Sequence, residues 1–98
     1  MSIILIVYSI MNKYLAEFIA TTFFVYIILL TGNPFAIGSS LAIAVFTTAK
    51  ISGGHVNPAV TFIMWIAGKL PTVDLAPYIL AQLSGALAAL VGFRYIKL

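Results

Sequence analysis

Glu17, His55 and Asp74 carry nearly all the acid–base and metal-ligating chemistry that this sequence could offer, because they are its only glutamate, histidine and aspartate. They lie far apart along the chain, and there is no cysteine. No acid–base pair, metal cluster or phosphate-binding glycine loop can be assembled from them. The inventory argues against an enzyme and predicts neither a metal nor a cofactor. A different kind of chemistry is suggested by the run His55-Val56-Asn57-Pro58-Ala59-Val60, in which a polar amide stands directly before a proline amid apolar sequence. Pro58 suits the first position of a helix, where its missing N–H costs nothing. Asn57 is then a natural N-cap.

The helix so started, residues 58–68, would extend about 16 Å, roughly half the hydrocarbon thickness of a bilayer. Such a segment is interfacial or re-entrant, and Gly53-Gly54 favours re-entrant by letting the backbone turn sharply while staying close-packed. A half-helix beginning inside a membrane leaves its first N–H groups unpaired, with a partial positive charge of about half a unit. That is tolerated where the helix end lines a cavity holding water or substrate. The Asn57 amide adds a donor there, and the carbonyls of Gly53, Gly54 and His55 add acceptors. Together they suit neutral hydrogen-bonding solutes and disfavour cations and protons. Two blander roles stay open: Asn57 as a helix cap only, and the His55 side chain as a tether for the loop.

The elements that must position this segment are themselves apolar. Of the 98 residues, 63% are hydrophobic and 7% charged, whereas a soluble domain carries roughly a quarter charged residues. The solvent is therefore lipid, and the chain reads as a multi-pass integral membrane protein in a bilayer. Its formal charge of +3 comes from five scattered Lys and Arg residues, which excludes nucleic acid as a partner. Three stretches can act as spans: residues 14–31, ending at Gly32-Asn33-Pro34; residues 35–51, ending at Ser52-Gly53-Gly54; and residues 75–96. Residues 52–68 form the loop and half-helix. Residues 1–11 are an apolar leader that either extends the first helix or precedes a start at Met11; the second is preferred, because no element of the architecture needs them.

Glu17 lies inside the first span, where an ionisable residue is functional by default, yet it has no partner nearby in sequence. Gln82 occupies the third span. Ala81, Gly85 and Ala89 form a small-residue stripe that permits close helix approach, either within the repeat or against a neighbour. Trp65 and the tyrosines read as interface or packing aromatics.

The run "SGGHVNPAVTF", residues 52–62, resembles the first signature loop of the aquaporin (major intrinsic protein) family, with its Asn-Pro-Ala motif at Asn57-Pro58-Ala59. "AEFIATTFFVY" from Ala16 is similar to that family's first helix, and "PYILAQLSGALAA" from Pro77 to its third. The match covers residues 12–96 in order and spacing. It implies an all-α membrane fold of three spans and one re-entrant half-helix. It also implies a pore lined by Asn57, Pro58, Ala59, Gly53, Gly54 and His55, with Ile37 at the constriction and Glu17 and Gln82 supporting the loop. The family carries two such repeats in inverted orientation around one pore, and an arginine follows its second Asn-Pro-Ala motif. This chain supplies one repeat, and Val60 follows Ala59.

The implied function is passive passage of water or a small neutral solute such as glycerol, with a second repeat supplied by another chain. That chain is a second copy in an antiparallel homodimer or another aquaporin-like protein, within a possible higher oligomer. In the family's topology Lys13, Lys50 and Lys69 face one side and Arg94 and Lys97 the other, a bias too slight to force one orientation. The alternative is a non-conducting interaction protein, or a truncated remnant or fragment of a full-length aquaporin.

Overall fold

The computed structural model describes residues 2–96, with four helices among them: α1 (Ile3–Thr31), α2 (Pro34–Thr48), α3 (Pro58–Ile66) and α4 (Thr72–Tyr95). The leader is a continuation of α1, which starts at Ile3 behind a Ser2 cap. An uninterrupted run of helix-compatible residues joins the leader to the span, and neither Gly nor Pro intervenes before Gly32. Gly32, at φ 56°, then closes the helix with its N–H on the Ile28 carbonyl. Asn33 accepts from the N–H groups of Phe35 and Ala36, and Pro34 opens α2.

The segments Asn12–Thr31 and Thr72–Tyr95 are long and apolar enough to cross a membrane. The 15 residues of α2 stop at Thr48, short of the expected Ile51. Its last turn is already distorted there: the Thr48 hydroxyl bonds the Ala44 carbonyl, while the Thr48 carbonyl takes both the Ile51 and Ser52 N–H groups. The opposite shift occurs at α4, which starts at Thr72 instead of Leu75 and carries Pro77 inside it. Asp74 accounts for the early start. A carboxylate in a first helical turn is favoured by the helix dipole, and this one is buried against Lys13 Nζ at 2.7 Å.

Helix α1 packs against both α4 and α2, and α3 packs on α4. Large apolar side chains point outward, among them Phe35, Phe46, Ile63, Leu80 and Leu87, while Ala16, Ala20, Ala44 and Ala89 are buried. In lipid there is no hydrophobic gain from burying Leu or Phe, so helices associate through small residues and hydrogen bonds. Gly85 shows this most sharply. A Cβ there would stand 2.6 Å from the Phe18 carbonyl oxygen, and Thr22 Oγ1 donates to the Gly85 carbonyl at 3.1 Å. At Gly85 and Ala89 the small-residue stripe thus faces the interior of the repeat, and Ala81 is half-buried.

Gly85→Ala must push α1 and α4 apart, at about 1–3 kcal/mol for an overpacked contact. Gly92→Ala should be tolerated, because its Cβ would meet only the Tyr26 ring at an ordinary 3.7 Å. Thermal unfolding of both variants in detergent checks this, with a lowered midpoint expected for the first alone.

Candidate functional site

After α2 the chain runs back through Ser52, Gly53, Gly54, His55 and Val56 in non-helical backbone before α3 begins. Gly53 and Gly54 take φ values of 92° and 63°. Gly54 also lies so close to α2 that a Cβ would meet the Val45 carbonyl oxygen at 3.0 Å. Only glycine satisfies both conditions. Val56 has φ 58° as well, a strained conformation for a β-branched residue. Its compensation is local: the Val56 N–H donates to Glu17 Oε1 at 2.8 Å, and its side chain is buried with Ala20 and Ala44.

Glu17 has no exposed surface, and each of its oxygens takes two donors. Oε2 accepts from Ser52 Oγ at 2.6 Å and from the His55 N–H at 3.1 Å. Oε1 accepts from the Val56 N–H and from Gln82 Nε2, both at 2.8 Å. Gln82 Nε2 also donates to Thr61 Oγ1 at 2.8 Å, and Thr61 Oγ1 lies 2.9 Å from His55 Nδ1. One carboxylate on α1 and one amide on α4 therefore hold both sides of the loop.

Asn57 caps α3 through its Oδ1, which accepts from the Ala59 N–H at 2.7 Å. Its side-chain nitrogen has no partner among the described residues, and the residue is exposed. Pro58 is half-buried and Ala59 exposed beside it. No hydrogen bond reaches the carbonyls of Gly53, Gly54 or His55 among the described residues, although Tyr78 and Asn57 flank a well-bonded loop. The His55 side chain is buried, and of the three residues with free carbonyls Gly53 is exposed while Gly54 and His55 are buried. Ile37 is not brought into this cluster. It is half-buried in the first turn of α2, about 16 Å along the helix axis from Thr48.

Sequence reasoning did not single out several participants. Ser52 and Thr61 are small hydroxyl residues within the quoted loop, buried at 7% and 0% exposure; a polar residue in a half-helix otherwise apolar was the available signal. Asp74, counted only as an unpaired acid, accepts from Lys13 Nζ at 2.7 Å and from Tyr14 Oη at 2.6 Å. Tyr78 is buried and donates to the Ser52 carbonyl at 2.7 Å. Trp65 ties the end of α3 to Thr72 through Nε1 at 3.0 Å.

Apolar spans, a loop held inside by a buried carboxylate and a half-helix capped by Asn57 define an all-α integral membrane protein with a re-entrant segment. Residues 5–97 match the model of the family described as Major intrinsic protein. The chain is 37% identical over 103 residues to aquaporin PIP2-7 of Arabidopsis thaliana, covering 88% of this chain and 36% of that one. It is 40% identical over 88 residues to glycerol uptake facilitator protein-like 6 of Lactiplantibacillus plantarum, covering 81% and 41%. A 49-residue stretch is 49% identical to the propanediol uptake facilitator PduF of Salmonella typhimurium, over 50% of this chain and 19% of that one. The chain belongs to the major intrinsic protein family, and it spans 36% and 41% of the length of the first two relatives.

Glu17→Gln tests the hub. An amide cannot accept at both positions, so at least one pair of donors loses its acceptor, at about 1–3 kcal/mol for each buried donor left unsatisfied. Faster amide exchange at His55 and Val56 is expected in the reconstituted variant, with the helical amides of α4 unaffected.

Proposed function

We propose that this chain is a subunit of a membrane channel that passes water or a small neutral solute such as glycerol, with the wall of the pore formed by residues 53–59. The observation that carries the reading is the pairing at one loop of an unpartnered Asn57 amide nitrogen with unbonded carbonyls at Gly53, Gly54 and His55. Donors and acceptors left unused by the fold are what a solute stripped of water needs on its way through. The positive end of α3 lies at the same place and opposes cations. Pro58 and Ala59 complete the tip, and Ile37 contributes an apolar face at a separate level of the pore.

The names of the relatives support this substrate class: one is an aquaporin, others are glycerol and propanediol facilitators. None of this requires a reaction, so the protein acts as a conduit and not as an enzyme. A single repeat encloses a pore only from one side. The second wall comes from a second repeat: that of another copy inserted in the opposite sense, that of a related chain, or one in a longer chain of which these residues are a part. A two-fold axis in the membrane plane would bring two Asn57 side chains toward each other, the arrangement of inverted-repeat transporters.

Stopped-flow permeability of liposomes containing the purified chain tests the conduit directly. Water or glycerol flux above that of empty vesicles is expected, and Asn57→Leu should return it to the empty-vesicle rate while membrane insertion is retained. Flux indistinguishable from empty vesicles for the unsubstituted chain would leave it as a non-conducting interaction protein or as a remnant or fragment of a longer aquaporin.

The antiparallel pair has its own test, because the native chain has no cysteine. Phe35→Cys places a thiol at a position 83% exposed, at the start of α2. Labelling by a membrane-impermeant maleimide from both sides of oriented vesicles is expected for dual insertion. Labelling from one side alone shifts the second wall to a related partner chain.

A further inference from the structure

Glu17 and Gln82 hold the loop at one point; a second set of contacts reaches it from the N-terminal part of α4, one turn before Gln82. Tyr78 Oη donates to the Ser52 carbonyl at 2.7 Å. The same ring lies 5.1 Å, centroid to centroid, from the His55 imidazole. Tyr14 meets Tyr78 edge-on at 5.9 Å, and Tyr14 Oη is itself fixed on Asp74 Oδ1 at 2.6 Å. Lys13 holds the other oxygen of that carboxylate at 2.7 Å. The ion pair between Lys13, inside α1, and Asp74, in the first turn of α4, is thus linked through two rings to the Ser52 carbonyl.

We propose that Tyr78 is a positioning residue that sets where the row of free carbonyls begins, with the Tyr14 ring as its buttress. The carbonyls of Thr48, Ala49 and Ser52 are occupied, by Ile51, Ser52, Gly53 and Tyr78, while those of Lys50 and Ile51, in the exposed turn after α2, accept nothing among the described residues. Those of Gly53, Gly54 and His55 accept nothing among the described residues. Within residues 52–55, then, the phenol of Tyr78 holds the first carbonyl and the next three are left free. Without its hydroxyl the Ser52 carbonyl joins the free set, and the turn at Gly53, where glycine has the widest choice of backbone conformations, loses its anchor. Pairing of Tyr78 Oη with a backbone carbonyl also explains a phenol at 2% exposure in a helix facing lipid. The geometry stands independently; its meaning for permeation rests on the pore reading above.

Tyr78→Phe removes one oxygen and leaves the ring. In proteoliposomes labelled with 13C-carbonyl serine and 15N-glycine, the Ser52–Gly53 pair is observed by solid-state NMR beside Ser84–Gly85, the other Ser-Gly pair in the sequence. The Ser52 carbonyl resonance should move while that of Ser84 stays in place. Amide exchange at residues 53–56 should rise about fivefold to tenfold, the effect of one lost hydrogen bond. Tyr14→Ala should raise the same exchange, and Tyr14→Phe, which keeps the ring against Tyr78, should not. An unmoved Ser52 resonance with unchanged loop exchange in Tyr78→Phe overturns the proposal, as does a Tyr14→Phe effect equal to that of Tyr14→Ala. None of these readouts needs solute flux, so a chain that fails to conduct would refute the channel reading and leave this one standing or falling on its own.

Discussion

A carboxylate without exposed surface, Glu17, is the constraint on which the re-entrant loop depends. Taking a carboxylate out of water costs several kcal/mol unless its lone pairs are matched by donors. The loop has the complementary problem, since N–H groups in irregular backbone inside a membrane protein have no ladder to join. Each need answers the other. Ser52, His55, Val56 and Gln82 supply the donors, and the carboxylate lets the chain leave α2, return inward and start a new helix with the His55 and Val56 N–H groups satisfied. This is also why the interior is rich in hydroxyls and amides, while bulky apolar side chains line the outside.

Close packing makes that exchange possible. The contact at Gly85 brings α4 against the carbonyl of Phe18, the residue next to Glu17 on α1, and lies one turn from Gln82 on α4. A bulkier residue there would separate the helices and draw the Gln82 amide away from the carboxylate. Gly54 does the equivalent on the other side by resting the loop on the backbone of α2. The hydrogen bonds are short because the helices are near, and the helices are near because two positions have no side chain. Val56 is the place where the resulting geometry is strained, with a positive φ that two bonds to Glu17, its own and that of His55, hold in place.

Asn57 divides its amide between two tasks. The oxygen satisfies the first turn of α3, a cap worth about 0.5–2 kcal/mol, and this fixes the direction of the nitrogen. A side chain anchored by one end presents the other with little conformational freedom. The structural and functional readings of this residue are therefore compatible: the cap is what aims the donor.

Much of the architecture was legible in the residue string, because its signals are local. Breakers at Gly32-Asn33-Pro34 and Ser52-Gly53-Gly54 separate the helices, and Asn57-Pro58 marks the start of the short one to the residue. Apolar composition alone placed the chain in lipid, and Glu17 stood out as a charge that needed a partner. Residue types and spacing could not supply the identity of that partner; only the family resemblance implied that Glu17 and Gln82 support the loop. Gln82 and Glu17 are 65 positions apart and Ser52 and Glu17 are 35 apart, and no periodicity connects residues at such separations. Tyr78 looked like any interfacial aromatic, and Asp74 like an isolated acid, until tertiary packing set them against Ser52, Tyr14 and Lys13. Local backbone preference and hydropathy determine where helices begin, end and dissolve; which buried polar groups meet depends on how closely the helices cross, and only the folded chain decides that.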